Sequence, residues 1–148
     1  MINFRLATLD DVTRIVELIT DDIFGKNREY IDNLSPYIEA FQEIQSSSNN
    51  YLYVMLMDGN IIGTFHLTII PSMPLIGAKR GNIESVHIDG EYRGNGYGTQ
   101  MMQYAINFAK EKGVKICQLT TNKKRIDAKR FYESLGFIAT HEGMKLVL

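Results

Sequence analysis

The 148-residue sequence predicts an α/β (α+β) protein built on a mixed, mostly antiparallel sheet of six or seven strands flanked by about four helices. Three observations lead there. Apolar residues recur at helical spacing in four stretches, and alternate or run continuously in the segments between them. Residues 51–57 and 61–70 are both strongly apolar and are separated by Asp58-Gly59-Asn60, which marks an antiparallel hairpin. The second half reads strand, helix, strand, helix, which adds parallel pairing to an antiparallel first half.

Taken in order, Ile2 to Leu6 alternates and reads as a first strand. Thr8 with Asp11 marks a helix start, and Val12, Ile15, Val16 and Ile19 continue it at helical spacing. Ser35-Pro36 opens a second helix with Ile38, Phe41 and Ile44 on one face; proline suits a first turn, where its missing N–H would be unpaired anyway. The polar patch Ser46 to Asn50 is short enough to be a surface loop. After the hairpin, residues 71–82 hold two prolines and two glycines and are expected to be a loop. Residues 83–88 read as a strand. Met101, Met102, Ala105, Ile106 and Ala109 form the stripe of a long helix closed by Gly113. Residues 114–120 read as a strand, 127–135 as a helix closed by Gly136, and 137–148 as one or two final strands. No internal repeat or linker interrupts this order, so residues 1–148 are expected to form a single domain.

Composition narrows the function. A net charge of -1 lacks the basic excess of a general nucleic-acid binder, so no nucleic-acid partner is expected. No apolar run approaches the roughly 20 residues that cross a bilayer, and the N-terminus lacks the pattern of a signal peptide. Cys117 stands alone and suits a reducing compartment. A cytoplasmic protein with no membrane partner is the expectation. Histidines and carboxylates show no close metal-ligand spacing, so no metal is expected.

The most informative stretch is Glu91-Tyr92-Arg93-Gly94-Asn95-Gly96-Tyr97-Gly98-Thr99, set between an expected strand and the long helix. Glycines let the backbone turn sharply and approach a ligand with no Cβ in the way. Unpaired N–H groups of the helix's first turn then face that ligand. With the helix dipole they attract an anion, each contribution being on the order of 0.3–1 kcal/mol. Arg93 can add a positive charge at the rim. A diphosphate is the natural guest. An ordinary strand-to-helix turn would need one glycine; three at alternate positions beside an arginine point to ligand contact. Two nucleotide readings fail on residues. The dinucleotide fingerprint wants a third glycine where Thr99 stands, and no carboxylate ends the next strand. A Walker A loop would require Gly-Lys-Ser or Gly-Lys-Thr, which does not occur.

What remains resembles the signature of the GNAT superfamily: Arg93, Gly96 and Gly98, with Gly94 also present. A second stretch, Ala128-Lys129-Arg130-Phe131-Tyr132-Glu133-Ser134-Leu135-Gly136-Phe137, is similar to that superfamily's Ala-x-x-Phe-Tyr-x-x-x-Gly-Phe segment. The resemblance follows the element order of essentially the whole chain and is strongest from Ile83 onward. It implies a GNAT fold and acetyl-CoA as acyl donor. It further implies that the pantetheine arm pairs with Val86, His87 and Ile88. The pyrophosphate would lie over Gly94, Asn95, Gly96, Tyr97, Gly98 and Thr99, and Asn122 would contact the cofactor arm.

The chemistry carried over is direct transfer to an amine. The amine must lose a proton before it attacks, and the departing thiolate must be protonated. Tyr132, at the family's tyrosine position, is the expected general acid; the bland alternative is core packing beside Phe131. Glu84 is the expected base, because relatives such as polyamine acetyltransferases carry a carboxylate there; the alternative is a solvated edge or a salt bridge to Arg80. Alternation places Glu84 on the face of Val86 and Ile88, with His87 opposite and structural, unless a bulge intervenes. His66 reads as a satisfied core or sheet-face histidine, and Cys117 as packing. Residues 119–128 resemble the corresponding part of aminoalkylphosphonate acetyltransferases, with 141–146 where their tail lies. Lys123-Lys124-Arg125 would face the 3′-phosphate of CoA or stay solvated. Residues 21–48 and 71–82 are expected to select the acceptor. A small-molecule primary amine is favoured, ahead of a protein N-terminus or lysine, with a non-catalytic acyl-CoA sensor as the third reading. The resemblance also implies homodimerisation.

Overall fold

The turn sequence Asp58-Gly59 does what its chemistry demands. Both residues take positive φ, 48° and 86°, which is the backbone of a two-residue hairpin turn. That turn joins β2 (Asn50–Met57) to β3 (Asn60–Ile70) in a computed structural model that describes residues 1–22, 24–29 and 31–148. With β1 (Ile2–Leu6), β4 (Lys79–Ile88) and β5 (Val114–Gln118), these strands form a five-stranded sheet in the order β1-β2-β3-β4-β5. Pairing is antiparallel except between β4 and β5, which run parallel.

Helices cover both faces, which is why β2 and β3 read as nearly continuous apolar runs. On one side α1 (Val12–Thr20) and α2 (Ser35–Ser46) bring Val12, Val16 and Phe41 together, while Ile15 meets Val54 and Leu56. On the other side α4 (Tyr97–Glu111) lays Met101, Met102, Ala105 and Ala109 against Tyr53, Met55, Phe65, Leu67 and Ile69. Alternate residues of β2 therefore serve opposite cores. Aromatic rings fill much of the α4 side: Phe4 stacks on Tyr104 at 4.1 Å, and Tyr53 lies between Phe65 and Phe108. At the start of α1, Asp11 accepts from the Thr8 amide at 2.8 Å and receives both guanidinium nitrogens of Arg5. Those charge-assisted bonds hold its carboxyl below the usual carboxylate range despite burial.

Two expectations about the sheet are corrected. Residues 79–82 belong to β4, not to the preceding loop. Gly81, which reads as a loop residue, is there because Val114 Cγ1 and Leu67 Cδ1 would lie 3.1 and 3.2 Å from any Cβ. It is a close-packing glycine. The loop before it contracts to α3 (Pro74–Gly77), a single turn in which Leu75 and Ile76 take positive φ. At the other end, residues 137–148 form no strand, so the sheet has five strands and not six or seven. Phe137 packs on the main core, but Ile138, Met144, Leu146 and Leu148 stay exposed. Apolar residues alone do not make a strand; a ladder needs a neighbour to pair with.

The last helix, α5 (Ile126–Ser134), follows β5 and packs Phe131 and Tyr132 against the α4-side core. Among the described residues, no helix is long and apolar enough to cross a membrane.

Candidate active site

The parallel pair β4 and β5 opens part-way along its length. Their register runs from Lys79↔Val114 to Asn82↔Gln118 and stops there. Beyond it, residues 83–88 of β4 pair with β3 alone. Their other edge therefore presents backbone N–H and C=O groups that no strand takes up, and such groups seek a partner.

Within this open stretch β4 carries a bulge. Ser85 has φ 52°, and the register with β3 jumps from His66↔Glu84 to Thr64↔His87. One extra residue switches the alternation. Val86 and Ile88 consequently join the α4-side core, whereas Glu84 lies beside His66. The expectation that Glu84 shares a face with Val86 and Ile88, with His87 opposite, is thus corrected: Glu84 and His87, paired with His66 and Thr64, share the face away from Val86 and Ile88. Its partner is His66, at 3.5 Å, and not Arg80, which donates to Gln118 at 3.2 Å.

The glycine turn stands at the mouth of the opening. Asp89 caps the short helical turn Gly90–Tyr92 by accepting from the Glu91 amide at 2.9 Å, and is held in place by Arg14. Gly94 and Gly96 then take φ of 79° and 83°, and a Cβ built on either meets nothing within 4 Å. Both positions face open space. Gly98 serves packing as well, since a Cβ there would lie 3.4 Å from the Phe131 ring. The first helical bond of α4 runs from the Gln100 amide to the Gly96 carbonyl at 3.1 Å. The amides of Tyr97, Gly98 and Thr99 precede it and point out of the helix start, as an anion site requires.

Arg93 does not stand free at the rim. Its Nε donates to the Ile88 carbonyl at 2.8 Å, its Nη2 donates to the Asp21 carbonyl at 2.9 Å, and the Asp21 carboxylate lies 3.6 Å away. It braces the turn against β4 and the loop after α1. Asn95 is also turned inward, donating to the carbonyls of Tyr92 and Arg93, which leaves its backbone amide as the group available to a ligand. Asn122 shapes the turn into α5: its side-chain oxygen accepts from Lys124 N at 2.9 Å and its carbonyl from Arg125 N at 2.8 Å.

Arg125, read from sequence as part of a basic run, forms a two-nitrogen pair with Asp22, largely buried, and its guanidinium lies 4.6 Å from the Phe24 ring. This pair ties the loop after α1 to the start of α5. Sequence reasoning missed it, as it missed Arg14 with Asp89. The partners lie 103 and 75 positions apart, and no local pattern links them. Of residues 21–48, expected to select the acceptor, Ile23 and Tyr30 lie outside the described residues.

Tyr132 is half-buried, with Phe131 at 5.3 Å and Phe137 at 6.0 Å. Burial pushes its hydroxyl pKa up, with Arg125 opposing, so it is protonated at neutral pH. Burial lowers the pKa of His87; Asp22 opposes this, while Arg125, Arg93 and Arg28 reinforce it. Burial likewise raises the Cys117 thiol, which argues against a thiolate nucleophile.

A sheet that opens between two parallel strands, with a glycine turn and a helix start at the opening, is a fold this chain shares with acetyltransferases of solved structure. The chain belongs to the acetyltransferase (GNAT) family, which it matches over residues 14–137. It is 28% identical over 142 residues to the aminoalkylphosphonate N-acetyltransferase of Salmonella typhimurium, covering 93% of this chain and 85% of that protein. It is 34% identical over 90 residues to the glucosamine 6-phosphate N-acetyltransferase of Trypanosoma brucei brucei, covering 61% of this chain. The match spans 59% of the length of that relative, and 59% of an uncharacterized N-acetyltransferase of Methanocaldococcus jannaschii. Among solved structures, a transcriptional regulator from Bacillus halodurans C-125 superposes with a TM-score of 0.96 at 39% identity, over 100% of both chains. A predicted acetyltransferase from Clostridium acetobutylicum, solved with acetyl-CoA, shares the fold with a TM-score of 0.77 at 22% identity, over 99% of this chain and 96% of that one.

Proposed function

We propose that this protein transfers the acetyl group of acetyl-CoA directly to the primary amine of a small molecule, with Glu84 as base and Tyr132 as acid. The reading rests on the edge of β4 beyond its pairing with β5, the positive-φ glycine turn before α4, and the protonated Tyr132 packed on the α4-side core. The pantetheine arm pairs with the open edge at Val86, His87 and Ile88. The diphosphate lies over Gly94 to Thr99 and takes the amides at the start of α4. The side-chain nitrogen of Asn122 is left to contact the arm.

The amine arrives as an ammonium and gives one proton to Glu84, which passes it to solvent. The free nitrogen then attacks the thioester carbon; a C–N bond forms and the C–S bond breaks, its electron pair going to sulfur. Tyr132 protonates the sulfur. The second proton lost by the nitrogen restores Tyr132, so the products are an amide, free CoA thiol and one proton.

We infer that the acceptor also carries an anionic phosphorus group. The names of two relatives pair an amine with a phosphonate or a phosphate. Arg28, Arg93 and Arg125 lie near His87, each beside a carboxylate of Glu29, Asp21 or Asp22 that a phosphorus oxyanion would have to share them with. A panel of aminoalkylphosphonates, amino-sugar phosphates, polyamines and N-terminal peptides, read by thiol release and product mass, tests this. Acetylation of the phosphorus-bearing amines above all others is the expected result. Acetylation of peptides alone would change the acceptor class. No product in the presence of bound acetyl-CoA would favour a sensor over an enzyme.

A further inference from the structure

His66 lies behind Glu84, and its two ring nitrogens have different partners. Nε2 is 2.8 Å from Asn50 Oδ1, which also accepts from Thr68 Oγ1 at 2.9 Å. That oxygen only accepts, so Nε2 carries a proton and donates it. In the neutral ring Nδ1 then bears a lone pair, and it is Nδ1 that faces Glu84 Oε1 at 3.5 Å. A lone pair opposed to an ionised carboxylate is unfavourable, and one proton placed between them relieves it. The arrangement is also graded in access: the Glu84 side chain is 54% exposed and His66 13%. Solvent reaches Glu84 first, with His66 behind it.

We propose that His66 is a positioning residue that shares one proton with Glu84, so that the pair, and not the carboxylate alone, takes up the proton of the acceptor amine. This rests on the proposed transfer reaction. When the amine gives up its proton, Glu84 Oε1 closes from 3.5 Å to hydrogen-bond distance of Nδ1 with the proton between them; no covalent bond is made there, and the proton leaves to solvent through Glu84. Among the described residues, the groups around His66 are few. β4 presents Glu84, and β2 presents the uncharged Asn50. The cavity of about 120 Å³ that His66 shares with Ser85 is walled by apolar side chains of α1 and by Tyr37 of α2, whose hydroxyl donates to Glu29 at 3.1 Å. Burial there lowers the histidine's proton affinity, and the Glu84 charge, the smaller effect, opposes it. Sharing raises the proton affinity of the pair above that of a lone carboxylate, and a base works best when its pKa lies close to the working pH.

The test compares kcat/KM against pH for wild type, His66→Gln and Glu84→Gln. The wild-type acid limb is expected at least about one unit above the ordinary glutamate value of about 4.3. His66→Gln, which can still donate to Asn50, is expected to move that limb down towards 4.3 and lower kcat/KM at neutral pH roughly 10-fold. An acid limb unmoved by His66→Gln overturns the proposal, and if Glu84→Gln is still impaired the transfer reading stands without it. NMR titration of the His66 ring gives an answer independent of turnover. Removing the Glu84 charge is expected to lower its pKa by about one unit or more. The same titration in wild type and Glu84→Gln would also overturn the sharing.

Discussion

Gly96→Glu is expected to weaken acetyl-CoA binding by at least about 100-fold while the protein remains folded. Gly96 has φ 83°, where any Cβ costs about 1–2 kcal/mol. The Cβ itself would meet nothing within 4 Å, so the core is untouched. The new carboxylate, however, would stand before the amides of Tyr97, Gly98 and Thr99, where the diphosphate must lie. It would both occupy the anion site and repel the ligand. Gly96→Ala separates the terms, since it carries the backbone strain without the charge and should bind only moderately worse than wild type. Titration calorimetry measures all three proteins. Wild-type affinity in Gly96→Glu would place the diphosphate elsewhere.

Tyr132→Phe is expected to lower kcat about 100-fold at saturating substrates, with acetyl-CoA affinity close to wild type. The phenylalanine keeps the ring contacts to Phe131 and Phe137, so the end of α5 should hold its shape. Only the hydroxyl is lost. Because burial raises its pKa, the protonated acid persists to higher pH than a solvated tyrosine, whose pKa is about 10. A wild-type alkaline limb, if it reports Tyr132, should therefore fall above pH of about 10 and vanish in the variant. Paired kcat and binding measurements decide it. An unchanged kcat would assign Tyr132 to packing alone.

Much of this architecture is legible in local chemistry. The Asp58-Gly59 hairpin turn, the Ser35-Pro36 helix start and the stripe of α4 each follow from residues close together in sequence. So does the glycine turn, because its glycines and the helix start after it form one continuous motif. Other features have no local signal. The bulge at Ser85 leaves no mark in the sequence: serine does not favour positive φ, and the two residues opposite β3 become visible only when the register is known. That bulge moved Glu84 to the other face and gave it His66, a residue that reads as ordinary sheet packing. Gly81 reads as a loop breaker, yet its glycine is required by the side chains of Val114 and Leu67. Arg93 and Arg125 read as free cations and are braced by Asp21 and Asp22, contacts set by tertiary structure alone. Residues 137–148 read as one or two final strands but pair with no strand among the described residues.

Amide hydrogen exchange with and without saturating acetyl-CoA tests the central claim most directly. Protection is expected in peptides covering residues 83–88, where the open edge of β4 gains a partner, and in those covering 94–99, where amides gain a diphosphate. The β1 and α2 peptides should exchange as before. Protection confined to β1, α2 or the hairpin, or no change at all at saturation, would contradict the placement of the donor between β4 and β5.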